Sequence, residues 1–239
     1  TRHNVVPSPN DRVFFDANSF TAPGQTINVN NQSIFCLDMI WDGVSNNPTI
    51  TAPASNVLNV YGSLRLSANM TFSFLGSVNF LANTAGHTIN MAGHRIRETT
   101  TFAGSGGVWT LQAALQVDTT LFIKAGSLNT GNQNISCLKL FVVPASAVNL
   151  DLGSSRITVT GLYYRRYEWW VQDSAVVEFN RTNLTLIPGT SVLDLSSNMP
   201  LVRATGMGNL ALGTVLYSNT LGFGKFEVNN GGDAKLTRL

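Results

Sequence analysis

One phrase occurs three times in this chain and constrains its fold more than any other feature. It reads Thr26-Ile27-Asn28-Val29-Asn30-Asn31-Gln32-Ser33-Ile34, then Thr88-Ile89-Asn90-Met91-Ala92-Gly93-His94-Arg95-Ile96, then Ser127-Leu128-Asn129-Thr130-Gly131-Asn132-Gln133-Asn134-Ile135. The shared pattern is a hydroxyl, an aliphatic, Asn, two variable residues, a turn former, Gln or His, and Ile two positions on. The first and third copies continue in step into Cys36-Leu37 and Cys137-Leu138. Internal repetition on this scale points to stacked units, each of which buries its apolar face against the next. The copies start at Thr26, Thr88 and Ser127, 62 and then 39 residues apart, so the units carry loops of unequal length.

Between the copies, apolar and polar residues alternate with the period of a strand. Examples are Met70-Thr71-Phe72-Ser73-Phe74, Val148-Asn149-Leu150-Asp151-Leu152 and Arg156-Ile157-Thr158-Val159-Thr160. These runs are short, and almost no window has helical periodicity. A second phrase, Gly followed by Ser or Thr, opens strands at Gly62, Gly76, Gly126, Gly153 and Gly189, where glycine can supply the positive φ of a sharp corner. Strand, corner, strand, corner is what a parallel β-helix requires. Each coil leaves an open edge and an unburied face, and the next coil, about 4.8 Å further on, satisfies both. The expected fold is therefore all-β, a right-handed parallel β-solenoid with irregular coils and loops. Tandem β-sandwich domains are the alternative. Residues 1–12, rich in Pro and turn formers, read as a linker, and 13–239 as one solenoid region.

Composition narrows the function. Charged residues make up 12% of the chain, about half the ordinary share, and the net charge is +2. Nucleic-acid surfaces need clustered Lys and Arg, and Arg165-Arg166 alone is too little. No apolar run approaches the roughly 18 residues of a membrane span, so no transmembrane segment is expected. The chain begins at Thr1 without a Met or a visible signal peptide, and reads as a piece of a longer protein. Cys36 and Cys137 read as two small buried apolar residues. Several coils would separate them, beyond the roughly 4.4–6.8 Å Cα separation that a disulfide spans. With His3, His87 and His94 scattered, they do not complete a closed zinc site. No metal or cofactor is expected.

The densest candidate for contact with a ligand or partner is Tyr163, Tyr164, Arg165, Arg166, Tyr167, Trp169 and Trp170, with Glu168 among them. Aromatic rings stack on flat ligand faces, and aromatics and Arg lead at interfaces. The same segment could equally fold over the solenoid, rings inward and charges snorkelling out. Carboxylates are few. A β-helix lyase or hydrolase needs acids converging in a groove; Asp38 with Asp42, and Asp173 with Glu178, are the pairs to consider, and turn or strand-end roles fit them as well. No Gly-x-Ser-x-Gly, P-loop or His-Glu-x-x-His motif is present. The chain is expected not to be an enzyme, with catalytic residues none. If Asn28, Asn90 and Asn129 sit at equivalent corners, their amides could bond along the stack as a ladder.

Three further phrases carry a resemblance: Val13-Phe14-Phe15-Asp16-Ala17-Asn18-Ser19-Phe20 with Ala22-Pro23-Gly24-Gln25-Thr26; Cys36-Leu37-Asp38-Met39-Ile40-Trp41-Asp42-Gly43-Val44-Ser45-Asn46-Asn47-Pro48-Thr49; and Gly106-Gly107-Val108-Trp109-Thr110-Leu111-Gln112. Together they resemble the repeat regions of very large surface adhesins that Bacteroidetes export by type IX secretion, of which the gliding-motility adhesin SprB is the best known. The resemblance runs over roughly residues 7 to 195. It implies an exported, filamentous, extracellular cell-surface protein, with a polysaccharide or cell-surface ligand and neighbouring modules of the same long chain as partners, and no nucleic acid. It brings no catalytic residue. Some phage tail fibres carry similar Gly/Thr/Asn-rich β-repeats, so a tail-fibre segment and a β-helix polysaccharide lyase or hydrolase stand as alternatives.

Overall fold

The structure, a computed structural model, describes residues 6–161, 163–166, 169–172, 175–197, 200–218, 224–229 and 234–238. Every regular element among them is a strand. The chain winds into a parallel β-solenoid in which a typical coil lays down three strands, one on each of three faces. The first face has eight strands, from Val13–Phe15 through Met39–Trp41, His87–Asn90 and Val148–Asp151 to Leu184–Ile187. The third face has nine, from Ser33–Cys36 through Ser77–Phe80, Thr120–Ile123, Lys139–Val142 and Val176–Asn180 to Lys225–Val228. The middle face is shared by two sheets. Thr26–Asn28, Thr49–Ala52 and Thr71–Phe74 form a three-stranded sheet, and a seven-stranded sheet starting at Arg95–Ile96 takes over from there. Tandem sandwiches would need antiparallel pairing. Among the described residues the one antiparallel pair is Tyr163–Arg166 with Trp169–Gln172.

The alternation in sequence becomes columns in space. On the third face Leu58, Val78, Thr100, Leu121, Leu140, Val177 and Val202 follow one another in register, all pointing inward and all buried. Thr100 is the one hydroxyl in that column, and its Oγ1 finds no hydrogen-bond partner. Trp109 fills the interior on the first face. Its ring packs edge-on to Phe102 at 5.4 Å, Phe102 stacks on Phe80 at 4.7 Å, and its indole N–H donates to the Gly62 carbonyl at 3.2 Å. A Cβ on Gly107 would lie 2.4 Å from the indole ring, so the absence of a side chain at Gly107 is what lets the ring in.

Glycine at the Gly-Ser/Thr corners turns out to serve two purposes. Gly126, Gly153 and Gly189 have positive φ, as the sequence suggested. Gly62 and Gly76 do not. There a Cβ would meet Asp38 Oδ1 at 2.3 Å and the Asn56 carbonyl oxygen at 2.0 Å, so close packing of successive coils, rather than φ, excludes a side chain.

The three copies of the repeated phrase do not share one corner. The second and third each run from a first-face strand into a middle-face strand, His87–Asn90 to Arg95–Ile96 and Gly126–Asn129 to Ile135–Cys137. The first runs from the middle face to the third, Thr26–Asn28 to Ser33–Cys36. Asn28 therefore pairs with Thr51, Asn90 with Arg65, and Asn129 with Thr110 and Asp151, and no ladder joins the three. What Asn90 and Asn129 do share is local. Each side-chain oxygen accepts the N–H two residues on, from Ala92 and Gly131, and Asp151 does the same for Gly153. Such Asx turns bend the chain at strand ends.

Both cysteines are free and buried. Burial pushes each thiol up to about 12, with the nearby Asp38 carboxylate adding to the effect at Cys36.

Candidate functional site

With one exception, register partners in successive coils are 19 to 26 residues apart, as in Thr120 with Lys139 and Val13 with Met39. One coil differs. Arg156 reaches Asp194, its neighbour on the middle face, across 38 residues. The surplus leaves the stack after Arg156–Val159 and returns at Val176–Asn180, between the middle and third faces. At the point of departure the Gly161 N–H donates to the Leu138 carbonyl at 3.0 Å. On return the buried Ala175 N–H donates to Ser197 Oγ at 2.9 Å. Both roots are thus tied to neighbouring coils.

The excursion holds the segment singled out in the sequence. Tyr163 pairs with Gln172, Tyr164 with Val171, Arg165 with Trp170 and Arg166 with Trp169, forming a two-stranded antiparallel hairpin. Six of the seven candidate residues therefore share one small unit. Tyr167, with Glu168, lies outside the described residues.

Beside the hairpin's roots, the outward column of the third face changes chemistry along the axis. In register it runs Asn59, Asn79, Thr101, Phe122, Phe141, Glu178, Arg203, Glu227. The amide of Asn79 donates to Asn59 Oδ1 at 3.0 Å. Phe122 and Phe141 stack at 5.3 Å, with Lys124 Nζ 4.8 Å from the Phe122 centroid. Arg203 then bridges Glu178 and Glu227, and Lys225 also pairs with Glu227. Hydrogen bonds from Lys225 and Arg203 hold the Glu227 carboxyl below the usual range. Like side chains stacked across parallel coils interact directly, and ion pairs lock register at little cost on an exposed face. The aromatic pair escaped sequence reading, although Leu121-Phe122-Ile123 and Leu140-Phe141-Val142 are near-copies whose spacing matches one coil.

The acids considered for catalysis are dispersed into ion pairs. Asp38 Oδ2 meets Arg12 at 2.9 Å while its Oδ1 accepts the Ser63 N–H at 2.7 Å. Asp42 pairs with Arg65, and Glu178 with Arg203. Asp173 lies outside the described residues. His87 bonds Thr84 Oγ1, and His94 bonds the Ser67 carbonyl and packs against Phe72. Among the described residues no three His, Cys, Asp or Glu side chains gather as a metal site, and no helix is long and apolar enough to cross a membrane. Inside the coils a void of about 20 Å³, lined by residues such as Leu121, Leu140, Ile157 and Phe179, has room for about one water.

No match to this chain is found among protein-family models, curated proteins or solved structures.

Proposed function

We propose that this chain is a structural and adhesive module of a filamentous, extracellular cell-surface protein, a stiff spacer whose point of contact is the hairpin of Tyr163–Arg166 and Trp169–Gln172. The observation that carries this reading is that a continuous parallel stack gives up its regular pitch at one place, and does so for a segment rich in aromatics and Arg. A stack whose coils are joined along three faces and closed over an apolar interior resists bending and stretching, because separating two coils breaks several backbone ladders at once. An aromatic, Arg-bearing hairpin that the stack itself does not need suits recognition of a polysaccharide or of a surface ligand. The ion pairing of Asp38, Asp42 and Glu178 favours binding without cleavage. The resemblance to type IX-exported gliding adhesins agrees with this role.

The test is a panel of polysaccharides incubated with the purified chain and followed for both retention and release of new chain ends. Retention without release, lost in a folded Trp169→Ala, Trp170→Ala double variant, is the expected result. Release of chain ends would replace this reading with a β-helix lyase or hydrolase. Neither retention nor release would leave a spacer alone.

A further inference from the structure

The three faces turn different chemistry outward. Over three successive coils the first face presents Thr110, Asn129 and Asp151 in register, and the middle face presents Gln116, Ser136 and Thr158. The third face of the same coils presents Phe122, Phe141 and Glu178. The two phenylalanines stack on each other outside the coil and are only partly buried. The interior does not require them there, since Leu121, Ile123, Leu140 and Val142 already fill the inward positions of the same two strands.

Beside the pair stands a cation without an anion. Arg65, Arg95, Arg97, Arg156, Arg203 and Lys225 each pair with a carboxylate. Among the described residues Lys124 pairs with none. Its Nζ lies 4.8 Å from the Phe122 centroid, within cation–π range. Glu178, the next residue of the outward column, is taken by Arg203. Binding sites combine an apolar, aromatic lining with a few placed polar groups that fix orientation. Aromatic edges next to an unpaired ammonium fit a ligand that is apolar over its ring and anionic at its rim. A uronate sugar has that form, with C–H groups on its ring faces and a carboxylate one bond away.

The pair also adjoins the hairpin. Residue 175, where the excursion rejoins the stack, precedes Glu178 by three positions, and Glu178 is the register partner of Phe141. A polymer held at the hairpin is therefore within reach of the rings.

We propose that Phe122, Phe141 and Lys124 form a second subsite on the third face, and that the polysaccharide it takes is acidic, a chain of uronate sugars. The sugar ring packs on the aromatic edges while its carboxylate faces Lys124 Nζ. This rests on the reading of the hairpin as a point of polysaccharide contact, and narrows the ligand of that reading to one charged class.

Polygalacturonate and its methyl ester share a backbone and differ in charge. The purified chain is expected to retain the acid about tenfold more strongly than the ester, the worth of one charge-assisted contact, and less strongly as salt is added. Lys124→Gln should bring the acid down to the level of the ester. Phe141→Asn, which places there the residue type that the same column carries at Asn79, should weaken retention of both. Bound polygalacturonate should also shield Lys124 from an amine-reactive label, read by mass spectrometry, and leave Lys225 as reactive as before. Equal retention of acid and ester, or retention with Lys124 fully labelled, overturns the subsite and leaves the hairpin reading standing. Retention of the acid with Lys124 shielded that survives the Trp169→Ala, Trp170→Ala exchange keeps the subsite and overturns the hairpin reading. Retention of neither polymer overturns the subsite.

Discussion

Two neighbouring coils do the same structural job with very different lengths of chain. In the coil that carries Ser127 to Asn149 the step is 22 residues. In the next, Arg156 and Asp194 meet across 38. Yet Gly126 pairs with Val148 and Val148 with Leu184, and the inward column Leu121, Leu140, Val177 passes through both without a gap. Backbone ladders join each coil only to its neighbours, so an insertion at a corner leaves the faces in register, whereas one extra residue within a face would turn its side chains inside out. Faces therefore hold stability, and corners are free to hold function.

That contrast can be broken most forcefully from the inside. Trp109→Ala empties the first-face interior and removes the bond to Gly62; a loss of about 3–5 kcal/mol is expected in denaturant unfolding. A loss under about 1 kcal/mol would mean the coil interior is not the source of stability. Arg181 is next. It is buried, and it donates to the carbonyls of Thr205, Gly206 and Asn229, binding coils as far as 48 residues apart in sequence. Arg181→Met should cost about 2–3 kcal/mol by removing the guanidinium from the Gly206 and Asn229 carbonyls, while Thr205 keeps the backbone N–H of residue 181.

The buried thiols sharpen the comparison through pH. Their folded values are raised to about 12, against about 8.5 in an unfolded chain. The stability they contribute is fully present below the unfolded value and is lost as pH climbs from there toward the folded one. The melting temperature should fall over that window, and fall less steeply in a Cys36→Ala, Cys137→Ala variant. An identical slope in the two proteins would show that the thiols ionise freely in the fold. Thr100→Val replaces the orphaned hydroxyl of the inward column with a methyl of the same shape, and should raise stability by about 1 kcal/mol. The smallest effect belongs to the corner. Deleting residues 162–174 and joining Gly161 to Ala175 should change unfolding free energy by no more than about 0.5 kcal/mol while abolishing polysaccharide retention. A large loss of stability would instead make the hairpin part of the scaffold.

Much of this architecture was legible in the sequence because period-two alternation is a local property. Leu121 and Leu140 point inward, and Phe122 and Phe141 outward, for reasons visible within four residues of each. The turn-forming Asn, Gly and Ser residues mark corners equally locally, and the break at 162–171 announced itself by its composition. The hairpin's antiparallel pairing was less visible, since no turn signal between Arg166 and Trp169 distinguishes it from a covering loop.

By itself, then, the sequence determined that this chain forms short strands joined at corners, with a buried apolar set that includes both cysteines. The tertiary structure alone decided which corner lies over which. The repeated phrase encodes a strand, a bend and a strand, and says nothing about where around the coil it sits, so its first copy turns a different corner from the other two. The division of the middle face into two sheets, the close approach at Gly62 and Gly76, and the succession of amide, aromatic and ionic pairs on the third face all follow from register between coils. Register is set by backbone ladders and inward packing across loops of unequal length, and no window of sequence contains both partners of such a contact.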